Sequence, residues 1–186
     1  MPQKQSIENE QELIKQAQQA PAKFEPLYGL YYLPIFKFLA KRTKSQDIAG
    51  EITSIVFVKA MENIGKYQYT GAPFSSWLFR IAHNALNDMY RKNKVSRVVD
   101  VDTQQLVALV EDDVVSDKQE RIELMIQTIS ELEPDEITLL ELRFFEERRF
   151  KEIGEILDVT EENARIRTHR LIAKMKKMLN VKNVQL

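Results

Sequence analysis

Residues 150–177, FKEIGEILDVTEENARIRTHRLIAKMKK, show the clearest structural pattern in the chain. Apolar residues repeat at helical spacing up to Leu157, and the DVT triplet at 158–160 then fits a tight turn, with Thr160 as the N-cap of a second helix. Gly154 has no Cβ, which lets the two helices approach closely. The stretch predicts a helix-turn-helix, the motif whose second helix lies in the major groove of DNA.

The second helix of this motif is strongly basic. Arg167, Arg170, Lys174 and Lys177 are spaced by three or four residues and so share one face. The hydrogen-bonding groups of Asn163 match the edge of adenine, and those of Arg165 match the edge of guanine. The lysines later in the helix are predicted to bind phosphates of the DNA backbone. A solvated basic face is the alternative interpretation. The predicted duplex-binding residues are Glu162, Asn163, Arg165, Ile166, Arg167, His169, Arg170 and Lys174.

A second basic helix is predicted over residues 74–92. Leu78, Ala82, Ala85 and Met89 form its buried stripe, and polar and basic side chains occupy another side. Aromatic rings around this helix can stack on unpaired bases while cations hold the backbone, and the 67–71 loop can hold a flipped base. Phe74 and Trp77 are alternatively core residues. The predicted residues for melted DNA are Tyr67, Gln68, Tyr69, Trp77, Arg80, Asn84, Asn87, Arg91 and Lys92.

Helical periodicity accounts for most of the remaining chain, and no strand-like alternation of useful length occurs. Further helices are predicted over 24–42, with a kink or break at Pro34, and over 47–64, 117–132 and 134–145. Inward-facing side chains are predicted to include Leu30, Ile55, Met61 and Ile126. The fold class is therefore all-α, with two small helical domains joined by an acidic linker. The predicted divisions are an extension at 1–20, a first domain at 21–95, the linker at 96–117, a second domain at 118–182 and a tail at 183–186.

Charge is segregated along the chain although the net charge is only −1. Residues 21–95 contain 11 Lys+Arg against 5 Asp+Glu, and residues 148–186 contain 10 against 5, whereas residues 96–133 contain 3 against 10. Two basic segments separated by an acidic one indicate a polyanionic partner.

Composition excludes several classes of chemistry. The chain has no Cys and two His, so disulfides, thiolate catalysis and cysteine-based zinc sites are excluded, and no metal or other cofactor is predicted. No apolar run approaches the length of a membrane span, and the N-terminus is polar, which predicts a cytoplasmic protein without membrane insertion. The carboxylate-rich segment at 100–117 lacks nearby His, glycine-rich loops or metal-ligand spacing, so we do not expect an enzyme.

Taken together, these strings resemble the extracytoplasmic-function (ECF) group of bacterial sigma factors. PFSSWLFRIAHNALNDMYRK at 73–92 is similar to the helix that melts the promoter and reads its −10 element. The strings at 132–157 and 158–177 are similar to the domain that reads the −35 element, and DIAGEITSIVFVKAMENI at 47–64 occupies the place of the helix that binds the polymerase clamp.

The resemblance implies roles and partners. It implies region 2, a linker and region 4 in chain order, with RNA polymerase core, duplex and melted promoter DNA and an anti-sigma protein as partners. It places Asp47, Glu51 and Phe57 on the polymerase-binding helix. The function it implies is to direct polymerase core to promoters and to assist melting. The alternative from a different class is a helix-turn-helix regulator that acts without polymerase.

Four positions depart from the pattern of the resemblance. Many relatives have a Gln-Glu pair where this chain has Ser54-Ile55. His83 stands where Arg is usual and makes the melting helix less basic, and Ile137 replaces a common Arg.

Overall fold

The described part of the chain is helical in every regular element, which confirms the predicted all-α class. This computed structural model describes the backbone of residues 2–93 and 118–184 and the side-chain surroundings of residues 10–92 and 123–179. The chain divides into two compact units, Met1–Val98 and Val99–Leu186. The predicted acidic linker at 96–117 lies outside the described residues.

Residues 2–93, the described part of the first unit, contain four helices. Ser45 caps the third, because its side-chain oxygen accepts a hydrogen bond from the backbone N–H of Ile48 at 3.3 Å, as N-cap serines do. The helices are α1 (Pro2–Gln19), α2 (Glu25–Ala40), α3 (Gln46–Asn63) and α4 (Phe74–Asn93), with 3₁₀ turns at Pro21–Phe24 and Ile64–Lys66.

The core of the first unit is formed where α2, α3 and α4 pack together. Most of the predicted α4 stripe is confirmed, with Leu78, Ala82 and Ala85 buried. The large side chains at the centre are Phe24, Leu27, Ile35, Phe38, Leu39, Val56, Phe57, Phe74 and Leu86.

Several predictions for α2 and α3 were wrong. Leu30, Ile55 and Met61 are 56%, 49% and 40% exposed rather than buried. In α3, small and polar side chains such as Ala49 and Thr53 face inward beside Ile52, so hydrophobicity alone mis-assigned the buried face. Pro34 does not divide α2, which continues from Glu25 to Ala40.

The second unit contains the helix-turn-helix. Phe150–Leu157 was predicted with the bounds that the structure has, and Thr160 accepts from the backbone N–H of Asn163 at 3.1 Å, which confirms it as the N-cap. Asp158 ends the first helix in the left-handed conformation at φ 58°. The helices are α5 (Lys118–Ser130), α6 (Pro134–Leu140, continued by a wider turn at Glu141–Phe145), α7 (Phe150–Leu157) and α8 (Glu161–Val184).

Gly154 occupies the tightest contact of this motif, as predicted. A Cβ at this position would lie 2.7 Å from the backbone oxygen of Val159 and 3.3 Å from the backbone nitrogen of Glu161. Ala164, Thr168, Leu171 and Met175 of α8 are buried. The prediction for Ile126 was wrong, since this side chain is 52% exposed.

Candidate nucleic-acid interface

A cavity of about 390 Å³ opens between the C-terminal end of α3, the 3₁₀ turn after it and α4. It lies within the size range of small-molecule binding sites. Its lining combines rings, amides and cations: Lys59, Asn63, Lys66, Tyr67, Trp77, Arg80, Ile81 and Asn84.

Aromatic rings form one wall of this cavity. The ring centroids of Tyr67 and Trp77 are 5.2 Å apart, and both rings lie about 5 Å from the buried ring of Phe74. Phe74 is fully buried, so its alternative assignment to the core is confirmed. Tyr67 and Trp77 are half-buried, which leaves part of each ring accessible at the cavity.

The polar wall contains three cations and two amides. Lys59 and Lys66 extend from α3 and the turn, and Arg80 projects from α4. Lys59 Nζ lies 3.9 Å from a carboxylate oxygen of Asp88, a long and exposed ion pair that contributes little stability. Rings that can stack, amides that can read base edges and cations that can hold a phosphate suit an unpaired nucleotide.

The structure brings together only some of the residues that were predicted for melted DNA. Tyr67, Trp77, Arg80 and Asn84 meet at the cavity. Gln68 and Tyr69 are instead exposed on the loop beyond it, with Tyr69 at 61%.

The remaining predicted residues lie further along α4. Arg91 and Lys92 are exposed, and Arg91 pairs with Asp88 at 2.9 Å. Asn87 is half-buried, with its amide nitrogen 3.0 Å from Nε2 of His83. His83 itself is buried. The replacement of the usual Arg by His83 therefore changes the interior of the first unit and not the exposed charge of α4.

Four residues of the cavity were missed by sequence reasoning: Lys59, Asn63, Lys66 and Ile81. The first three are spaced by four and three residues, so they share one side at the end of α3 and in the turn that follows. That spacing is a usable signal when it comes directly before a tyrosine-containing loop.

The N-terminal half of α8 presents the predicted duplex-binding residues to solvent. Glu162, Asn163, Arg165, Ile166, Arg167, His169 and Arg170 are all exposed.

Arg165 is held by two neighbours on this face. Its guanidinium lies 3.6 Å from the Glu162 carboxylate and 5.8 Å from the ring centroid of Phe150 in α7. These contacts favour one direction for the Arg165 side chain before any ligand arrives.

Lys174, a predicted phosphate anchor, is engaged within the protein. Its Nζ donates to both carboxylate oxygens of Glu136 in α6, at 2.8 and 2.6 Å. Glu136 also accepts from the backbone N–H of Glu133 and so closes the capping box of α6. Burial alone would raise the pKa of Glu136, but the hydrogen bonds from Lys174 and Glu133 lower this pKa below its ordinary value.

We expect Glu136→Gln to lower the melting temperature of the second unit at neutral pH, by the roughly 0.5–1 kcal/mol of a partly exposed ion pair. Because the pKa of Glu136 is lowered by folding, the pair stabilises the fold above the ordinary carboxyl pKa of about 4.3. That stabilisation is lost as the pH falls through the lowered pKa. Calorimetry of both proteins from pH 7 downward should show their difference disappear in acid, and a constant difference would contradict this role.

The predicted polymerase-binding residues are divided by the structure. Asp47 and Glu51 are exposed on α3, and Ser54, Val58 and Met61 continue the same face at spacings of three and four.

Phe57 does not lie on that face. It is 2% exposed, and its ring packs against Phe24, Tyr28 and Tyr32. Its placement as a surface contact is therefore corrected: Phe57 holds α3 against α2.

The described residues form neither a metal cluster nor a membrane-spanning helix. Within residues 10–92 and 123–179, no group of three or more acidic, His or Cys side chains is arranged to hold a metal ion. In the part of the chain that the structure describes, no helix is both long and apolar enough to cross a bilayer.

Comparison with known proteins identifies both units. The model of Sigma-70 region 2 matches residues 27–95, and that of Sigma-70 region 4 matches residues 128–177. The fold and these matches define a two-region sigma protein. This chain belongs to the ECF group of RNA polymerase sigma factors. The region 2 match does not favour the alternative of a stand-alone regulator.

Several curated relatives extend over most of the chain. The ECF sigma factor SigW of Bacillus subtilis (strain 168) is 31% identical over 160 residues, which are 80% of this chain and 82% of SigW. CarQ of Myxococcus xanthus, an RNA polymerase sigma factor, is 29% identical over 84% of this chain and 88% of its own length. Among solved structures, CnrH in complex with the cytosolic domain of CnrY shares the fold with a TM-score of 0.55 and 17% identity, over 91% of this chain and 96% of CnrH.

Proposed function

We propose that this protein directs RNA polymerase core to promoters by reading duplex DNA with α8 and by binding one unpaired base in the cavity beside α4. The observation that carries the proposal is the presence of two different cationic surfaces in one chain. One is a helix with an exposed basic N-terminal half, and the other is a concave site with rings. A protein that bound only duplex DNA would have no use for the second.

The upstream contact is made by α8 in the major groove. Thr160 caps the N-terminus of this helix, so that the first turn presents Asn163 and Arg165 to base edges while Arg167 and Arg170 reach the backbone. Arg165 is already directed by Glu162 and Phe150, which reduces the side-chain entropy lost on binding. Each bidentate contact of this kind discriminates between bases by about 1–3 kcal/mol.

The cavity receives a base that leaves the stack as the duplex opens. Tyr67 and Trp77 supply stacking faces, worth about 1–3 kcal/mol per base, and Asn63 and Asn84 supply hydrogen-bonding groups for its edge. Arg80 and the two lysines of the cavity attract the adjoining phosphates. The binding energy offsets the cost of unstacking, so melting is assisted and no covalent chemistry is required of the protein.

The exposed face of α3 is the contact with polymerase core. Asp47 and Glu51 provide negative charge at its N-terminal end, and Ile55, Val58 and Met61 provide exposed apolar surface further along. Large apolar side chains exposed along one helix are typical of protein–protein interfaces. Ser54 and Ile55 lie within this face, so contacts made by other residues in many relatives are replaced here by a smaller, more apolar surface.

A regulatory protein that covers these faces is a further expected partner. The solved structure of CnrH contains the cytosolic domain of a second protein, CnrY. By analogy, we propose that an anti-sigma protein binds this chain and blocks polymerase binding.

Transcription with purified core enzyme tests the proposal. Core with and without this protein is supplied with genomic DNA of its source organism, and the RNA 5′ ends are mapped. We expect a small set of new 5′ ends that share sequence elements upstream. An unchanged distribution of 5′ ends would contradict the proposed function.

A further inference from the structure

Helix α1 lies before the segment that matches region 2, which begins at residue 27, and none of the roles proposed above uses it. It packs against both 3₁₀ turns of the first unit and against α2. Among residues 10–19 of this helix, Ile14 and Ala17 are buried, at 6% and 1% exposure. This apolar contact holds α1 beside the turn that leads into the cavity.

One side chain of α1 reaches the backbone at the edge of the cavity. The amide nitrogen of Gln18 donates to the carbonyl oxygen of Ile64 at 3.1 Å and to that of Tyr67 at 2.9 Å. These carbonyls stand at either end of the segment 64–67, and the N–H of Tyr67 also donates to Ile64 at 3.0 Å. A primary amide has two N–H groups, so Gln18 can hold both carbonyls together.

A second series of contacts joins α1 to the ring of Tyr67. Tyr31 of α2 donates to the carboxylate of Glu10, and burial, then this hydrogen bond, raises the pKa of the phenol, so that it stays protonated at neutral pH. The Tyr31 ring lies 5.7 Å from Phe74, which lies 5.0 Å from Tyr67. Tyr67 is therefore held through its backbone by Gln18 and through its ring by packing that leads back to Glu10.

We propose that α1 is the positioning element of the cavity and that Gln18 is a positioning residue, which fixes the backbone of Tyr67 so that its ring is ready for an unpaired base. This inference rests on the proposed function of the cavity. Gln18 touches no base; it acts by setting the direction in which the chain leaves the 64–66 turn. Preorganisation of this kind strengthens binding because the loop does not have to be ordered when the ligand arrives.

Different residues of α1 contribute to stability and to positioning of the cavity. Ile14 and Ala17 provide its apolar contact, whereas Gln18 is largely exposed and adds little to that contact. A change at Ile14 should therefore loosen the packing of α1. A change at Gln18 should instead act on the turn.

The test uses Trp77, the only tryptophan of the chain, as a reporter inside the cavity. Short homopolymeric oligodeoxynucleotides of A, C or T are titrated into the full-length protein, and Trp77 emission gives the affinity. Three variants are compared with the parent: Gln18→Glu, which removes both donors; Gln19→Glu, which adds the same charge at the adjacent exposed position; and Ile14→Val, which weakens the packing of α1.

We expect Gln18→Glu to bind the best oligonucleotide about fivefold more weakly, the loss associated with one ordinary hydrogen bond, and to shift the Trp77 emission of the free protein. Gln19→Glu should bind like the parent. Ile14→Val removes a single methylene group, which lowers the melting temperature but leaves α1 packed on the turns and Gln18 in place, so its affinity should stay close to that of the parent. Equal affinities for the two glutamate variants would overturn the positioning role alone. If no oligonucleotide changes the Trp77 emission of the parent protein, the proposed use of the cavity is overturned, and this inference with it.

Discussion

Replacement of Gly154 by Ala should abolish specific duplex binding and unfold much of the second unit near physiological temperature. The added Cβ would meet the Val159 carbonyl oxygen at 2.7 Å and the Glu161 nitrogen at 3.3 Å, and both are backbone atoms that cannot rotate away. Separating the turn from α7 costs about 2–3 kcal/mol by the usual range for overpacking. For a domain of this size, that corresponds to a fall of about 10–20 °C in melting temperature.

The chain offers a matched control for this substitution. Gly29 lies inside α2, and apart from the adjoining helical backbone no heavy atom lies within 4 Å of an added Cβ, so Gly29→Ala should be neutral or stabilise by up to about 1 kcal/mol, because alanine favours helix over glycine. Thermal unfolding followed by circular dichroism, together with duplex binding, separates the two variants. Normal melting and binding of Gly154→Ala would mean that α7 and α8 do not approach as described.

Arg80→Ala is expected to give the second large effect, on promoter opening. Arg80 lies on the wall of the cavity and supplies one of its three cations. We expect initiation on a fully paired promoter to fall by about tenfold to a hundredfold, which is the range for losing the contacts that hold one unpaired nucleotide. On a template opened in advance around the start site, the same variant should lose only a few-fold, because that template does not have to be melted.

Two further variants make this result specific. Lys23→Ala removes an exposed cation from the first unit, away from the cavity, and should initiate like the parent on both templates. Arg167→Ala removes a cation from α8 and should reduce initiation equally on both, since it affects duplex contacts upstream. Equal losses for Arg80→Ala on the paired and opened templates would rule out a role in melting.

The helix-turn-helix could be predicted from the sequence because its determinants are local. The N-cap at Thr160, the small residue at Gly154 and the bounds of α7 follow from short-range rules of capping, turn formation and close packing, and all three are confirmed. The all-α class was equally accessible, since periodicity is a property of each segment alone.

Burial and exposure that depend on tertiary packing were harder to predict from the sequence. Ile55 and Met61 were assigned to the core by hydrophobicity, although α3 instead buries a face with Ala49, Thr53 and Phe57. We propose that a partner covers the apolar residues that this leaves exposed, and sequence periodicity does not reveal such a contact. Conversely, Phe57 was assigned to the surface through a family resemblance, whereas aromatic packing from α2 buries it.

The cavity could be predicted only in part. Tyr67, Trp77, Arg80 and Asn84 were identified because they lie on or next to one basic helix. Lys59 and Asn63 belong to another helix, and their approach to α4 depends on how the helices cross. The role of Gln18 depends on two backbone carbonyls 46 and 49 residues away in sequence, and no pattern of side chains signals such a contact.

Photochemical cross-linking in the polymerase-bound open complex tests the central claim most directly. A photoreactive base is placed at each position of the non-template strand around the −10 element in turn, and the cross-linked peptide is identified by mass spectrometry. We expect one position, and not its neighbours, to cross-link to Tyr67 or Trp77. Cross-links from every position that map only to segments outside the cavity would contradict it.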